Sequence, residues 1–243
     1  MWWALLWGGI AGGALLLGAA AGIRFNASPK LIGGVMAFGA GVLISALAFS
    51  LTREAFDRGG ALAVTVGLTL GALTFFAGDL VLERHGGRGR KRSSGPEANP
   101  DNGGLVLALG ALLDGIPESA AIGITLLGGG PVGVSMVTAV FLSNIPEGWS
   151  ASAGMRKSGR STRYILGLWL CVVAASALAS LAGYLLLGYA PDVVIGSVQA
   201  FAAGAVIAML ADTMMPEAFE QGGPTTGLLT ALGFTLSFLL SEV

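Results

Sequence analysis

The sequence predicts an all-α, polytopic membrane protein of eight transmembrane helices, and three observations lead there. Apolar runs of about 20 residues, the length of a membrane-spanning helix, recur eight times, each bounded by charge, glycine or proline. Charged residues make up only 11% of a chain that is 54% hydrophobic, against about 25% in an ordinary soluble domain. The basic residues fall almost entirely in alternate connections. A core able to hide this much apolar sequence does not exist at 243 residues, so lipid is the expected solvent.

The spans are read as 3–23, 31–55, 61–83, 104–128, 131–155, 163–188, 193–220 and 225–242. The first opens with MWWALLWGG, which has no Lys or Arg ahead of its apolar stretch; it reads as a transmembrane helix and not as a cleaved signal peptide. Trp2, Trp3 and Trp7 then sit at an interface, where indole rings prefer to lie. The second and third spans are separated by Gly59-Gly60, and the third closes on Asp79 and Glu83. After it comes the longest polar stretch; its charge, Gly, Pro and Ser make residues 84–104 a flexible basic loop within a single domain covering 1–243. His85, the only histidine, lies in that loop and reads as solvated. Spans four and five each carry an Ile-Pro-Glu triplet. Span six holds Cys171, which reads as a packed small hydrophobe with no partner for a disulfide. Span seven carries Asp212, Pro216 and Glu217, and Gly222-Gly223-Pro224 separates it from span eight.

With the N-terminus outside, the first three inner connections hold Arg24 and Lys30; Arg84, Arg88, Arg90, Lys91 and Arg92; and Arg156, Lys157, Arg160 and Arg163. These are eleven of the thirteen Lys and Arg residues, and only Arg53 and Arg58 fall outside. Cytoplasmic loops concentrate Lys and Arg, so both termini are expected to be extracytoplasmic and the 84–104 loop cytoplasmic, in an inner (plasma) membrane. A net charge of −1 argues against nucleic acid as a partner.

Two internal echoes run through the chain. AGVLISALAFSLTREAFDRGG (40–60) aligns without gaps on AGAVIAMLADTMMPEAFEQGG (203–223), with ten of twenty-one positions identical and Glu54 opposite Glu217. The same register puts Asp79 opposite Glu242. Span two runs outward and span seven inward, so this is an inverted repeat, spans one to three against six to eight with four and five central. That architecture is common in transporters, with the site at the midplane between the halves. The second echo relates LLDGIPESAAIG (112–123) to the region around LSNIPEG (142–148).

Asp114 and Glu118 are spaced i, i+4 and share a helix face. Pro117 lacks an N–H, which frees the Leu113 carbonyl and is expected to bend the helix. Span five repeats the device with Ser143, Asn144 and Glu147, and Pro146 frees the Leu142 carbonyl. All these groups are oxygen ligands. A carboxylate at mid-bilayer costs about 2.5–3.5 kcal/mol, and three cost roughly 8–10 kcal/mol if left alone. No Lys or Arg lies within the interior of any span, so the balancing charge is expected to be a metal cation or protons. Asp212 is placed along the path to this site. Glu217, near the cytoplasmic end, reads equally as a path group and as an interface residue.

The two Pro-Glu motifs, the eight spans, the outside termini and the polar loop after span three resemble the ZIP family of divalent metal transporters over nearly the whole chain. The family's helix-four signature, His-Asn-x-Pro-Glu-Gly, reads here Asp114-Gly115-Ile116-Pro117-Glu118-Ser119; the helix-five counterpart reads Ser143-Asn144-Ile145-Pro146-Glu147-Gly148. The resemblance implies a binuclear centre bridged by Glu118 and Glu147, with Asp114 and Ser143 at first-site positions and Asn144 at a second-site position. It also implies a homodimer. Both motif histidines are absent, Gly115 replaces a second-site asparagine, and the loop lacks a histidine run. An all-oxygen site suits harder ions such as Mn²⁺ or Mg²⁺ better than an imidazole site does, while the family keeps Zn²⁺ and Fe²⁺ in play.

The expected function is transport of divalent cations, with metal as substrate and no resident cofactor. No enzyme activity is expected: an intramembrane metalloprotease needs a His-Glu-x-x-His pattern that one loop histidine cannot supply. The alternatives are a proton-coupled carrier of another small solute, its carboxylates acting as relay groups, and a non-transporting homologue.

Overall fold

The computed structural model describes residues 1–25, 28–84, 103–127 and 133–241. The expectations for His85, for Glu242 and for most of the 84–104 loop lie outside the described residues. Every element in the described residues is helical: α1 (Trp2–Arg24), α2 (Pro29–Ala46), α3 (Thr52–Leu82), α4 (Gly103–Thr125), α5 (Val134–Lys157), α6 (Thr162–Leu187), α7 (Asp192–Met209), α8 (Met215–Gly222) and α9 (Thr226–Ser241).

Local chemistry sets the starts and stops. Ser28 caps α2 by accepting the Leu31 N–H at 3.3 Å, and Pro29 follows at the first helical position, where its missing N–H costs nothing. Ser161 caps α6 through the Tyr164 N–H at 3.2 Å. Arg156 and Lys157 close α5, where positive charge meets the helix's negative end.

The sequence counts eight spans, whereas the described residues form six continuous helical runs. Two tight glycine joints account for the difference. Pro29–Leu82 is 54 residues long and Asp192–Leu239 is 48. At about 1.5 Å per residue, each would far overshoot a hydrocarbon core of about 30 Å if it were straight. Neither is straight. Gly60 has φ 71° and Gly223 φ 68°, a region closed to most side chains, and both joints break the helical path. The runs therefore pack as separate limbs: α2 lies on α9, and α3 on α7.

The same register that aligns 40–60 with 203–223 also aligns backbone features. A π turn, one residue wider than an α-helical turn, links α2 to α3 at Leu47–Leu51; its counterpart links α7 to α8 at Leu210–Met214. Gly60 falls on Gly223, and α2 falls on α7 from end to end. Packing follows the same exchange. α1 packs on α5 as α6 packs on α4, and α2 touches α5 as α7 touches α4.

Glycines set how closely these helices approach. On the α1–α5 seam, a Cβ at Gly18 would run into the Ile145 carbonyl, and one at Gly148 into the Leu15 carbonyl. Small residues of this kind let two backbones touch, which is how helices associate where lipid supplies no hydrophobic drive. The larger core gathers Met36, Leu43, Leu47, Leu51, Val140, Val206, Met209 and Met214; a smaller one holds Leu15, Met155, Ile165, Trp169 and Val172. Outside these cores the apolar character continues onto the surface. Leu62, Val66, Leu70, Leu73 and Phe76 of α3 are all exposed, a stripe too large for a water-facing surface. Four of the described helical runs are long and apolar enough to cross a bilayer. The fold is that of an all-helical, multi-pass membrane protein.

Cys171 corrects the sequence reading: it is exposed on α6 beside Leu170 and is not packed. An apolar neighbourhood signals burial in a soluble protein, but in a lipid-facing helix it does not.

The close α1–α5 seam gives a stability prediction. Gly18→Ala should lower the thermal midpoint of the detergent-solubilised protein, by an overpacking cost of roughly 1–3 kcal/mol. Gly154→Ala, where nothing lies within 4 Å of the new methyl group, should hold or raise it. Equal losses in the two variants would show that the seam is not what holds α1 to α5.

Candidate functional site

Both Ile-Pro-Glu motifs sit inside intact helices. Pro117 lies within α4 and Pro146 within α5, and neither ends its helix. The prolines still leave the carbonyls of Leu113 and Leu142 without their usual helical donors.

The polar residues around these prolines are withdrawn from the surface. Asp114 is 3% exposed, Glu118 2%, Ser143 3% and Asn144 4%, while Glu147 is half-buried. Such burial is unusual for carboxylates. Ser143 donates its hydroxyl proton to the Val140 carbonyl at 3.0 Å, which leaves its oxygen lone pairs for a ligand. Asn144 donates through Nδ2 to the Ala11 carbonyl of α1, also at 3.0 Å. That bond ties the amide to α1 through its nitrogen, and Oδ1 is the atom a cation would take. Serving as a seam bond to α1 is a role for Asn144 that its sequence position does not suggest.

Among the described residues, no three His, Cys, Asp or Glu side chains stand together as a group able to hold a metal ion. The structure therefore does not bring Asp114, Glu118 and Glu147 into one acid cluster. The packing explains this. α4 lies chiefly on α6 and α7, α5 lies chiefly on α1 and α2, and the two meet only over a short stretch. A cation here would draw on mixed donors: carboxylates, the Asn144 amide, the Ser143 hydroxyl and the two proline-freed carbonyls. Gly115 faces Ser176 of α6, whose hydroxyl would lie in ordinary contact with an added Cβ, at 3.6 Å.

Asp212 stands apart from this group. It lies exposed on the π turn Leu210–Met214, close enough to Asp79 and Glu83 at the end of α3 for their charges to act on it. Glu217, which the sequence leaves between two roles, is 4% exposed. Its Oε1 accepts from Ser150 Oγ of α5 at 2.9 Å and from Gln221 Nε2 at 2.7 Å. Two buried residues escape sequence reasoning. Ser150 lies three residues beyond Glu147, with only that spacing as a signal. Gln199 on α7 is fully buried with neither amide atom hydrogen-bonded, and nothing marks it among its apolar neighbours.

No protein-family model matches this chain. It is 26% identical over 212 residues to a protein of Arabidopsis thaliana whose curated name is "Putative zinc transporter". The match covers 86% of this chain and 33% of that protein, so the chain spans about a third of the length of the curated relative it matches.

Proposed function

We propose that this protein carries divalent metal cations across a membrane, through an oxygen-lined site between α4 and α5. The observation that carries the reading is the burial of Asp114 and Glu118 beside Pro117, mirrored by Ser143, Asn144 and Glu147 around Pro146. Such groups are costly in hydrocarbon, and no Lys or Arg lies within the interior of any of the apolar spans to offset them. A divalent cation offsets them directly. The zinc-transporter name of the Arabidopsis relative supports the same class of substrate.

On this reading the chain crosses the bilayer eight times, with the joints at Gly60 and Gly223 serving as the turns between limbs of the two long runs. The paired π turns, the paired glycine joints and the exchanged helix packing support an inverted repeat about α4 and α5. Such repeats place substrate at the midplane and work by moving one bundle against the other. The ion enters between α2, α4, α5 and α7, binds Asp114, Glu118, Ser143, Asn144 and Glu147, and leaves past Asp212 toward the basic cytoplasmic connections. Since Asp114 and Glu118 share a face of α4 while Glu147 lies on α5, loading is expected to draw α4 and α5 together. No step needs covalent chemistry. The ZIP resemblance extends the proposal to a homodimer in the plasma membrane with both termini outside, and leaves zinc, iron and manganese as the ions to compare.

Glu118 and Glu147 should act as a unit. In proteoliposomes, Glu118→Ala is expected to abolish metal uptake about as fully as Glu118→Ala with Glu147→Ala, because each glutamate bridges the same ions. Near-normal uptake by the folded Glu118→Ala protein would sink the site assignment.

Orientation rests on the charge asymmetry. A cysteine at Ser94, introduced after Cys171→Ala, should react with an impermeant thiol reagent only in inside-out vesicles. Labelling of Ser94→Cys on intact cells would reverse the topology.

A further inference from the structure

Gln199 of α7 is 0% exposed, and neither its Nε2 nor its Oε1 has a hydrogen-bond partner among the described residues. Leaving both ends of a buried amide unpaired is costly, and a free amide oxygen suits a cation. α3 covers the side of α7 that carries Gly196, Ala200, Phe201 and Gly204. Gln199 lies on the other side, in helical step with Ala202, Ala203 and Val206. Those three residues share the larger core with Ala121 and Ile122 of α4.

The internal repeat locates that side more closely. In the register that aligns 40–60 with 203–223, Gly41 falls on Gly204 and Phe38 on Phe201. The packing keeps the same step: a Cβ at Gly233 of α9 would run into the Phe38 carbonyl, and one at Gly71 of α3 into the Phe201 carbonyl. α4 and α5 keep step as well. A Cβ at Gly22 of α1 would run into the carbonyl of Trp149, three residues past Pro146, and one at Gly183 of α6 into that of Ala120, three residues past Pro117. Gly39 therefore corresponds to Ala202, and Ser143 to Asp114. A Cβ at Gly39 would lie 3.2 Å from Ser143 Cα and 3.5 Å from the Leu142 carbonyl oxygen, and further along Ser50 meets Ser135 at 2.9 Å, so α2 and α5 run in opposite directions. α7 lies on α4 as α2 lies on α5. The exchange puts Ala202 beside Asp114 and the Leu113 carbonyl, and Gln199, one turn earlier on α7, beside the next turn of α4, which carries Glu118. The counterpart of Gln199 in the other half is Met36, a buried member of the larger core.

We propose that Gln199 is a further ligand of the transported divalent cation, supplying its amide Oε1 to the Glu118 half of the site. An amide oxygen is a hard, neutral donor. It favours ions such as Mn²⁺ without adding another charge that the lipid-surrounded bundle must hold. A bound ion thereby ties α7 to α4. The inference rests on the reading of the chain as a divalent-cation carrier.

The test is equilibrium dialysis of the purified protein in nanodiscs against Mn²⁺ and, separately, Zn²⁺. Gln199→Met copies the other half and removes the amide with little change in shape. It should hold or raise the thermal midpoint of the metal-free protein. It should nonetheless weaken Mn²⁺ binding about tenfold or more, the scale on which partners of metal ligands act, and weaken Zn²⁺ binding less, since a softer ion depends less on a hard oxygen. Gln199→Glu keeps an oxygen donor and guards against a misfolded Gln199→Met; it should bind Mn²⁺ at least as tightly as wild type. If Gln199→Met binds Mn²⁺ as tightly as wild type while Glu118→Gln loses it, the Gln199 ligand is wrong and the carrier reading stands. If Gln199→Met weakens both ions equally, or Gln199→Glu binds Mn²⁺ more weakly than wild type, the ligand role is likewise overturned. If wild type itself binds no divalent ion, both readings fall.

Discussion

The constraint on which this structure depends is the cost of holding carboxylates inside a helical bundle that lipid surrounds. Asp114, Glu118 and Glu217 are each under 5% exposed. A charge at that depth costs several kcal/mol unless something of opposite sign or a full set of hydrogen bonds meets it. The chain meets the charge of Glu54 with a guanidinium at its outer edge. Further in, it provides hydroxyls, amides and freed carbonyls, which are dipoles and not charges. Dipoles can orient around a cation without fixing one permanently, which is what a carrier requires and a structural ion pair does not.

Close helix packing makes that arrangement possible. With glycine at Gly18 and Gly148, α1 lies backbone to backbone on α5, and Gly123 and Gly183 do the same for α4 and α6. Lipid is excluded from the seams where the polar groups sit. Asn144 is tied to the α1 backbone and Glu217 to α5, so each motif is positioned by a neighbouring helix as well as by its own. α4 and α5, by contrast, share only a short contact. The two halves of the proposed site are each held firmly to an outer partner and loosely to one another, which gives the site room to open and close.

Much of this was legible in the sequence because membrane helices announce themselves by length and hydropathy. The edges of spans one, four, five and six fall within a few residues of the ends of α1, α4, α5 and α6, whereas the edges expected at 55 and 61 fall inside α3; the two Pro-Glu motifs land within α4 and α5. The joints at Gly60 and Gly223 were readable as glycine pairs, but not their tightness, which lets helical structure run almost through them. Burial was the least legible quantity. Cys171 and Glu217 both lie in ordinary-looking surroundings, yet Cys171 is exposed and Glu217 buried, because in a lipid-facing protein polarity no longer reports which side of a helix faces inward. Gln199 shows the same gap: a fully buried amide on α7 that no periodicity distinguishes from the alanines around it.

The central claim is that the buried oxygen donors exist to carry a divalent cation. The most direct measurement is uptake into proteoliposomes of one ion, Mn²⁺, in competition with Fe²⁺, Zn²⁺, Cd²⁺ and Mg²⁺. The account predicts saturable Mn²⁺ uptake, with the other transition ions competing according to how well an all-oxygen site accepts them. Protein-free vesicles should show no such uptake. If none of the five ions is taken up or competes, while the reconstituted protein is folded and correctly inserted, then the carboxylates serve another purpose and the account is contradicted.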